Sequence, residues 1–258
     1  MPGHFPGILF MIKDRLQSIK QQLPPGVSLV AVSKFHPVER LMEAYEAGQR
    51  IFGENRPQEL AAKVPGMPPD VQWHFIGHLQ TNKLKLVLPY VSLVQSVDSF
   101  RLLEAIQGWA VANNRTIDIL LELHLGAEQT KQGFTEEEIL AIVDLYRSEA
   151  TAPAGARPGR VFADRQIRKG EKAAGELEGA APLVRIRGLM GMATNTDDMA
   201  VVERDFERIE ALYKRIKALG VEGFDHLSIG MSGDWPLAVK HGATMIRIGT
   251  DIFGPREY

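Results

Sequence analysis

Val27-Ser-Leu-Val-Ala-Val-Ser-Lys-Phe-His-Pro-Val-Glu-Arg-Leu-Met-Glu-Ala-Tyr-Glu-Ala-Gly48 reads as one complete βα unit. Val27–Ser33 is a short apolar run with three valines, the composition of a strand covered on both faces. Pro37 stands where a helix accepts proline in its first turn, and Gly48 stands where a helix stops. The unit then repeats. Further strand candidates are Arg50–Gly53, Val71–Gly77, Val91–Val97, Ile117–Leu125, Ile186–Met192, Phe224–Gly230 and Met245–Gly249. Helical stretches lie between them. Thr135 with Glu138 makes a capping box, and Asn195 to Leu219 sets Met199, Val202, Phe206, Ile209, Tyr213 and Ile216 on one face before Gly220.

Eight strands alternating with helices imply parallel βαβ units, and eight units in 258 residues match the size of a closed barrel. The rival is a doubly wound open sheet, but no G-x-G-x-x-G follows any strand. The expected fold is therefore α/β: a single (β/α)8 TIM-type barrel domain over residues 1–258, with an N-terminal helix and an irregular insertion at about 150–182. In that insertion 17 of 33 residues are Ala, Gly or Pro, which offers little apolar surface against the entropy of ordering it. A peripheral, poorly packed excursion is expected there.

Composition removes several functions. The chain has 30 Lys and Arg against 32 Asp and Glu, a net charge of -2, so it lacks the basic footprint of a nucleic-acid or anionic-membrane binder. Cysteine is absent, which excludes disulfides, thiolate nucleophiles and cysteine-ligated metals and fits a reducing compartment. The longest stretch without charge, residues 21–33, is broken by Pro24, Pro25 and Gly26 and is shorter than the roughly 18 to 20 residues of a spanning helix. No basic residue precedes the apolar run Ile8–Ile12, so it does not read as a signal peptide. The expectation is a soluble, cytoplasmic protein.

In a barrel, chemistry lies at the C-terminal ends of the strands. Lys34 ends the first strand; alternation sets it on the face of Val30 and Val32, so it points into the mouth if the valines fill the barrel. Taken alone, it reads more readily as a lysine reaching out to water. On the last strand, Met245, Arg247 and Gly249 share a face. An arginine inside a barrel needs partners because it cannot shed its charge, and closure would bring Arg247 to Lys34. Gly249-Thr250 and Gly230-Met-Ser232-Gly233, after strands eight and seven, offer backbone N–H groups to an anion, with Ser232 as a helix cap; glycines that only turn the chain are the plainer reading. His74 and His78 have metal-ligand spacing for a helix, but Trp73–Gly77 reads as strand and no third ligand stands nearby, so no metal site is expected. His124, Glu128 and Lys131 follow strand five, where a solvated loop explains them equally. Markers of serine hydrolases, zincins and P-loop enzymes are absent.

These segments resemble the pyridoxal phosphate homeostasis proteins, a family related to the barrel domain of alanine racemase. The matching stretches are Leu29-Val-Ala-Val-Ser-Lys34, Phe52-Gly-Glu-Asn55 with Gln58-Glu59, and His74-Phe-Ile-Gly-His-Leu-Gln-Thr-Asn-Lys83. Lys131-Gln-Gly133, Gly188-Leu-Met190, Leu227-Ser-Ile-Gly-Met-Ser232, Met245-Ile-Arg-Ile-Gly-Thr250 and Ile252-Phe-Gly254 continue the match in the same order. The resemblance implies that Lys34 holds pyridoxal 5'-phosphate as a Schiff base and that Arg247 faces the pyridine nitrogen. It implies that Gly249, Thr250 and Ser232 take the phosphate with Ser228 nearby, and that Asn55 lies beside the cofactor. His78, His124 and the long insertion depart from the family pattern.

Two functional classes follow. One is a carrier in vitamin B6 homeostasis, a monomer without catalytic residues, delivering cofactor to PLP-dependent apo-enzymes. The alternative is a PLP-dependent amino-acid racemase. Racemisation needs an acid/base on each face of the α-carbon. Alanine racemase takes the second, a tyrosine, from an additional C-terminal domain, whereas here only Asp251 to Tyr258 follow the eighth strand. Tyr45, Tyr90, Tyr146 and Tyr213 fall in or beside predicted helices. The carrier is the expected function.

Overall fold

The computed structural model describes residues 11–126, 132–150 and 183–254. The expected insertion, Glu128, Lys131 and Tyr258 lie outside them. Eight parallel strands close into a barrel in sequential order: β1 Ser28–Val32, β2 Ile51–Glu54, β3 Gln72–Phe75, β4 Val91–Val97, β5 Ile117–Leu123, β6 Val184–Gly191, β7 His226–Ser228 and β8 Met245–Ile248. All eight sequence candidates are strands, most of them trimmed by a residue or two. The largest difference is β7, expected over Phe224–Gly230. Gly223 and Gly230 adopt positive φ on either side of it, and those left-handed turns end the extended run. Closure is direct: Val30 of β1 registers with Arg247 of β8.

Helices α1 Ile12–Gln22, α2 Val38–Glu46, α3 Pro57–Lys63, α4 Phe100–Ala112, α5 Glu136–Ala150, α6 Met199–Ala218, α7 Trp235–Lys240 and α8 Thr250–Phe253 pack around the strands. Their ends follow the sequence signals. Pro37 is the N-cap of α2, and Gly48 just beyond the helix has φ +87. The capping box at α5 is reciprocal: Thr135 N–H donates to Glu138 Oε2 at 2.9 Å and Glu138 N–H to Thr135 Oγ1 at 3.2 Å. In α6 the predicted stripe buries Val202, Phe206, Ile209, Tyr213 and Ile216. Met199, expected on that stripe, is exposed instead, because the first turn of α6 overhangs the strand ends and there lines a cleft. The N-terminal helix α1 buries Ile12, Leu16 and Ile19 beside α2 and α8.

Two apolar layers result. The larger lies between strands and helices. Inside the barrel, Val30, Leu93, Leu120, Met190 and Met245 form a plug, so the interior is a packed core and ligands are confined to the mouth. Gly188 (φ +155) is required where β6 meets β7: a Cβ there would fall 1.7 Å from the His226 carbonyl oxygen.

Candidate functional site

Lys34 is half-buried in the turn that follows β1. Ser33, before it, is fully buried; its hydroxyl donates to Glu54 Oε1 at 2.7 Å and its carbonyl accepts from Lys63 Nζ at 2.9 Å. Phe35, after it, has a left-handed φ of +68 and donates its N–H to Glu59 Oε2 at 2.9 Å. Lys63 Nζ also donates to Glu54 Oε1 at 2.7 Å and Glu59 Oε2 at 3.1 Å, so all three ammonium hydrogens are used. Burial raises the Glu54 pKa against the opposing pull of Lys63 and Ser33. Burial also pushes Glu59 up, but the bonds from Phe35 and Lys63 outweigh it and hold the carboxyl below its ordinary range. Beside this turn, Asn55 directly follows β2. Its Oδ1 is buried without a hydrogen-bond partner.

A polar layer covers the apolar plug. Arg247 Nη1 donates to the Ser228 carbonyl at 2.8 Å and the Ser228 hydroxyl at 2.6 Å, and Nη2 donates to the Gly191 carbonyl at 2.9 Å. The Ser228 hydroxyl donates onward to Gln95 Oε1 at 2.7 Å, and Gln95 Nε2 lies 2.8 Å from His74 Nδ1. Burial lowers Arg247 to about 10, so it stays protonated at neutral pH, and lowers His74 to about 3, so its imidazole is neutral. The register sets Arg247 level with Val30, four residues below Lys34. Lys34, in the turn after β1, therefore stands above the level of Arg247 on the adjacent strand β8.

On the far side, a cleft of about 690 Å³ opens over the ends of β5, β6 and β7. Glu122 lines it, facing inward on β5. Burial, and secondarily the Asp98 carboxylate, raise its pKa to about 7 against the pull of Arg247. Asp98 accepts from or pairs with His78 Nδ1 at 2.8 Å.

Of the expected phosphate-loop residues, Gly249 is half-buried and Thr250 exposed at the start of α8, where the first N–H groups have no intrahelical acceptor. Ser232 is half-buried in the β7–α7 loop but does not cap α7. Asp234 is the N-cap residue, its carboxylate accepting from the Met231 N–H at 2.5 Å. Ser228 is fully buried, its hydroxyl accepting from Arg247 and donating to Gln95. Sequence reasoning passed over Lys63, Gln95 and Glu122. The signal was present for Glu122, a carboxylate two residues after Leu120 on the inward face of an apolar strand. Lys63 gave none: its position under Ser33 depends on how α3 packs.

Comparison with known proteins places these features. The alanine racemase N-terminal domain family matches residues 9–157. The pyridoxal phosphate homeostasis protein of Vibrio alginolyticus is 33% identical over 240 residues, covering 91% of this chain and 89% of that protein. PipY of Synechococcus elongatus PCC7942 superimposes with a TM-score of 0.77 without PLP (34% identity) and 0.74 with PLP bound (33% identity). Both comparisons cover 95% of this chain and all of PipY. Alanine racemase of E. faecalis shares the fold, with a TM-score of 0.65 at 18% identity; the match covers 95% of this chain and 57% of the racemase.

Proposed function

This chain belongs to the pyridoxal phosphate homeostasis protein family, and from that premise we propose that it is a single-domain carrier of pyridoxal 5'-phosphate, held on Lys34 as a Schiff base, in intracellular vitamin B6 homeostasis. When bound, the cofactor supplies an aldehyde that an amine can hold and a ring that withdraws electrons. The residues present fit it. The unpartnered Asn55 Oδ1 offers an acceptor beside Lys34, and Ser232 with the Gly249–Thr250 backbone offers neutral donors to a phosphate.

The observation that carries the reading is a guanidinium in the polar layer, on the strand next to the one that leads into Lys34. Arg247 has no acceptor atom, and three of its five N–H groups are used by Ser228 and Gly191. Against a ring nitrogen it can only donate, which favours the unprotonated ring and weakens electron withdrawal. The described tyrosines support the same conclusion. Tyr45, Tyr146 and Tyr213 lie in helices and Tyr90 precedes β4, all away from the mouth. The recipients are PLP-dependent apo-enzymes, and the carrier acts as a cytoplasmic monomer.

One observation favours the second reading, racemisation: Glu122 faces the mouth with a pKa near 7, suited to moving a proton. One experiment separates the readings. The PLP-loaded protein is reduced with borohydride and mapped by mass spectrometry, and a parallel sample is incubated with L-amino acids and resolved for enantiomers. We expect the reduced adduct on Lys34, its loss in Lys34→Ala, and no sustained D-isomer. An adduct on another lysine overturns the Lys34 assignment. D-isomer formation that depends on Lys34 and Glu122 overturns the carrier.

A further inference from the structure

A backbone residue is oriented by the two peptide planes that flank it, since each plane is rigid and only φ and ψ turn between them. At Lys34 both planes are held. The first carries the Ser33 carbonyl, which accepts from Lys63 Nζ at 2.9 Å. The second carries the Phe35 N–H, which donates to Glu59 Oε2 at 2.9 Å. The two holds are joined, because the same ammonium bonds Glu59 Oε2 at 3.1 Å. Its third hydrogen goes to Glu54 Oε1, fixed in turn by the Ser33 hydroxyl at 2.7 Å.

This is more apparatus than a loop needs in order to turn. A left-handed φ at Phe35, a bulky residue, is disfavoured and persists only where surroundings enforce it. Lys63 is almost wholly buried, with a side chain 9% exposed, and burying an ammonium is costly unless every hydrogen finds an acceptor. The Arg56 guanidinium lies 4.5 Å over the Phe35 ring and 3.7 Å from Glu59, closing the turn from outside. The cluster converges on the backbone around one residue.

We infer that Lys63, Glu59 and Glu54 are positioning residues that fix φ and ψ of Lys34 and so aim its amine at the cofactor aldehyde. The inference rests on the proposed role of Lys34. None of the three needs to touch the cofactor. Aiming shortens the search for the geometry in which Nζ attacks the aldehyde carbon, water leaves and the carbon–nitrogen double bond forms. It contributes little to binding of the rest of the molecule, which the phosphate loops supply.

The test uses the full chain and two ligands. Pyridoxal 5'-phosphate reports the covalent step through its absorption band and through borohydride, which adds hydride to the carbon of the double bond. Pyridoxamine 5'-phosphate has an amine in place of the aldehyde and reports the non-covalent contacts alone. Glu59→Ala removes the hold on Phe35 from a partly exposed helix position, and Lys63→Met removes the hold on Ser33. We expect each to slow adduct formation about tenfold, the scale of a misaimed reactive group, while affinity for the amine analogue changes less than about twofold. Glu59→Gln restores an acceptor to the Phe35 N–H and should recover most of the rate.

Unchanged adduct kinetics in Glu59→Ala, with the wild-type adduct still on Lys34, overturn the positioning role and leave the carrier reading intact. Equal losses for both ligands also overturn it, since they mark a structural role alone. A wild-type adduct on another lysine overturns the carrier reading first. Should Lys63→Met not fold, Glu59→Ala and its glutamine rescue decide the question.

Discussion

On the β1–β3 side of the mouth, Lys63 donates to three acceptors and Glu54 is fully buried, whereas on the β5–β7 side a cleft of about 690 Å³ is rimmed by Met192, Met199 and Met231, each more than 40% exposed. The same fold thus carries a braced half and an open half. Bracing suits the role proposed for Lys34, whose bond to the cofactor would form in one geometry. Openness suits passage of a ligand. Arg247 joins them, since it stands on β8 beside β1 and bonds backbone on β7 and β6.

Cutting that joint should have the largest effect. Arg247→Leu leaves the Ser228 and Gly191 carbonyls without their donor and Glu122 without its neighbouring cation. Removing one member of a buried charged network costs about 3 to 5 kcal/mol, and urea unfolding should register a loss of that size. A loss below about 1 kcal/mol would mean that the two halves are stable independently, and the joint would be a misreading.

Next comes a matched pair of glycine substitutions. A Cβ at Gly77 would fall 2.3 Å from the Asn55 carbonyl oxygen, and backbone cannot yield as a side chain can. Gly77→Ala should cost about 2 to 3 kcal/mol and displace Asn55, lowering affinity for the cofactor. At Gly233, in the open half, nothing lies within 4 Å of an added Cβ. Gly233→Ala should stay within about 0.5 kcal/mol of wild type. Similar costs at the two sites would erase the contrast between the halves.

The pH dependence sharpens it further, because each half holds a group titrating in the opposite sense. Burial lowers His74 to about 3 from 6.5, so its contribution is present above 6.5 and is lost as pH falls toward 3. Burial and Asp98 raise Glu122 to about 7 from 4.5, so its contribution is present below 4.5 and is lost as pH rises toward 7. Between 4.5 and 6.5 the two oppose, each by at most about 1.4 kcal/mol per pH unit. Glu122→Gln removes one of them. Other groups titrate alike in both proteins, so the stability of the variant relative to wild type should climb from pH 4.5 to 7 and level off above. A flat difference curve would show that Glu122 is as free to ionise as in the unfolded chain.

The two halves also differ in how much of them the sequence disclosed. Strand positions were legible throughout, because eight apolar runs must each be covered and the glycine and proline punctuation between them is local. The places of Lys34 just after β1 and of Arg247 on β8 were legible for the same reason, since position along a strand is a property of one segment each. The brace was not. Glu54 and Glu59 stood in a recognisable stretch, yet their role depends on Lys63, which reads as an ordinary helix-end lysine until α3 is laid beside β2 and reaches the turn after β1. Ser232 misled as a cap because Asp234, two residues later, starts α7 instead. Met199 fitted the stripe of α6 by spacing, and only the length of the neighbouring strands decides that its turn overhangs them.

The smallest expected effect concerns that overhang. Met192, Met199 and Met231 come from three separate segments, after β6, at the start of α6 and after β7, and all line the cleft. In the open half their side chains keep much of their surface in water, so truncation removes little buried area. At roughly 25 cal/mol per Å², a side chain already half exposed has little to lose. Met199→Ser and Met231→Ser should each change stability by less than about 0.5 kcal/mol and leave the borohydride adduct on Lys34 unchanged. Urea midpoints and mass spectrometry of the reduced protein check both statements. A loss above about 1.5 kcal/mol would place the methionines in a packed layer, and the cleft would then belong to the braced half of the mouth rather than to its open one.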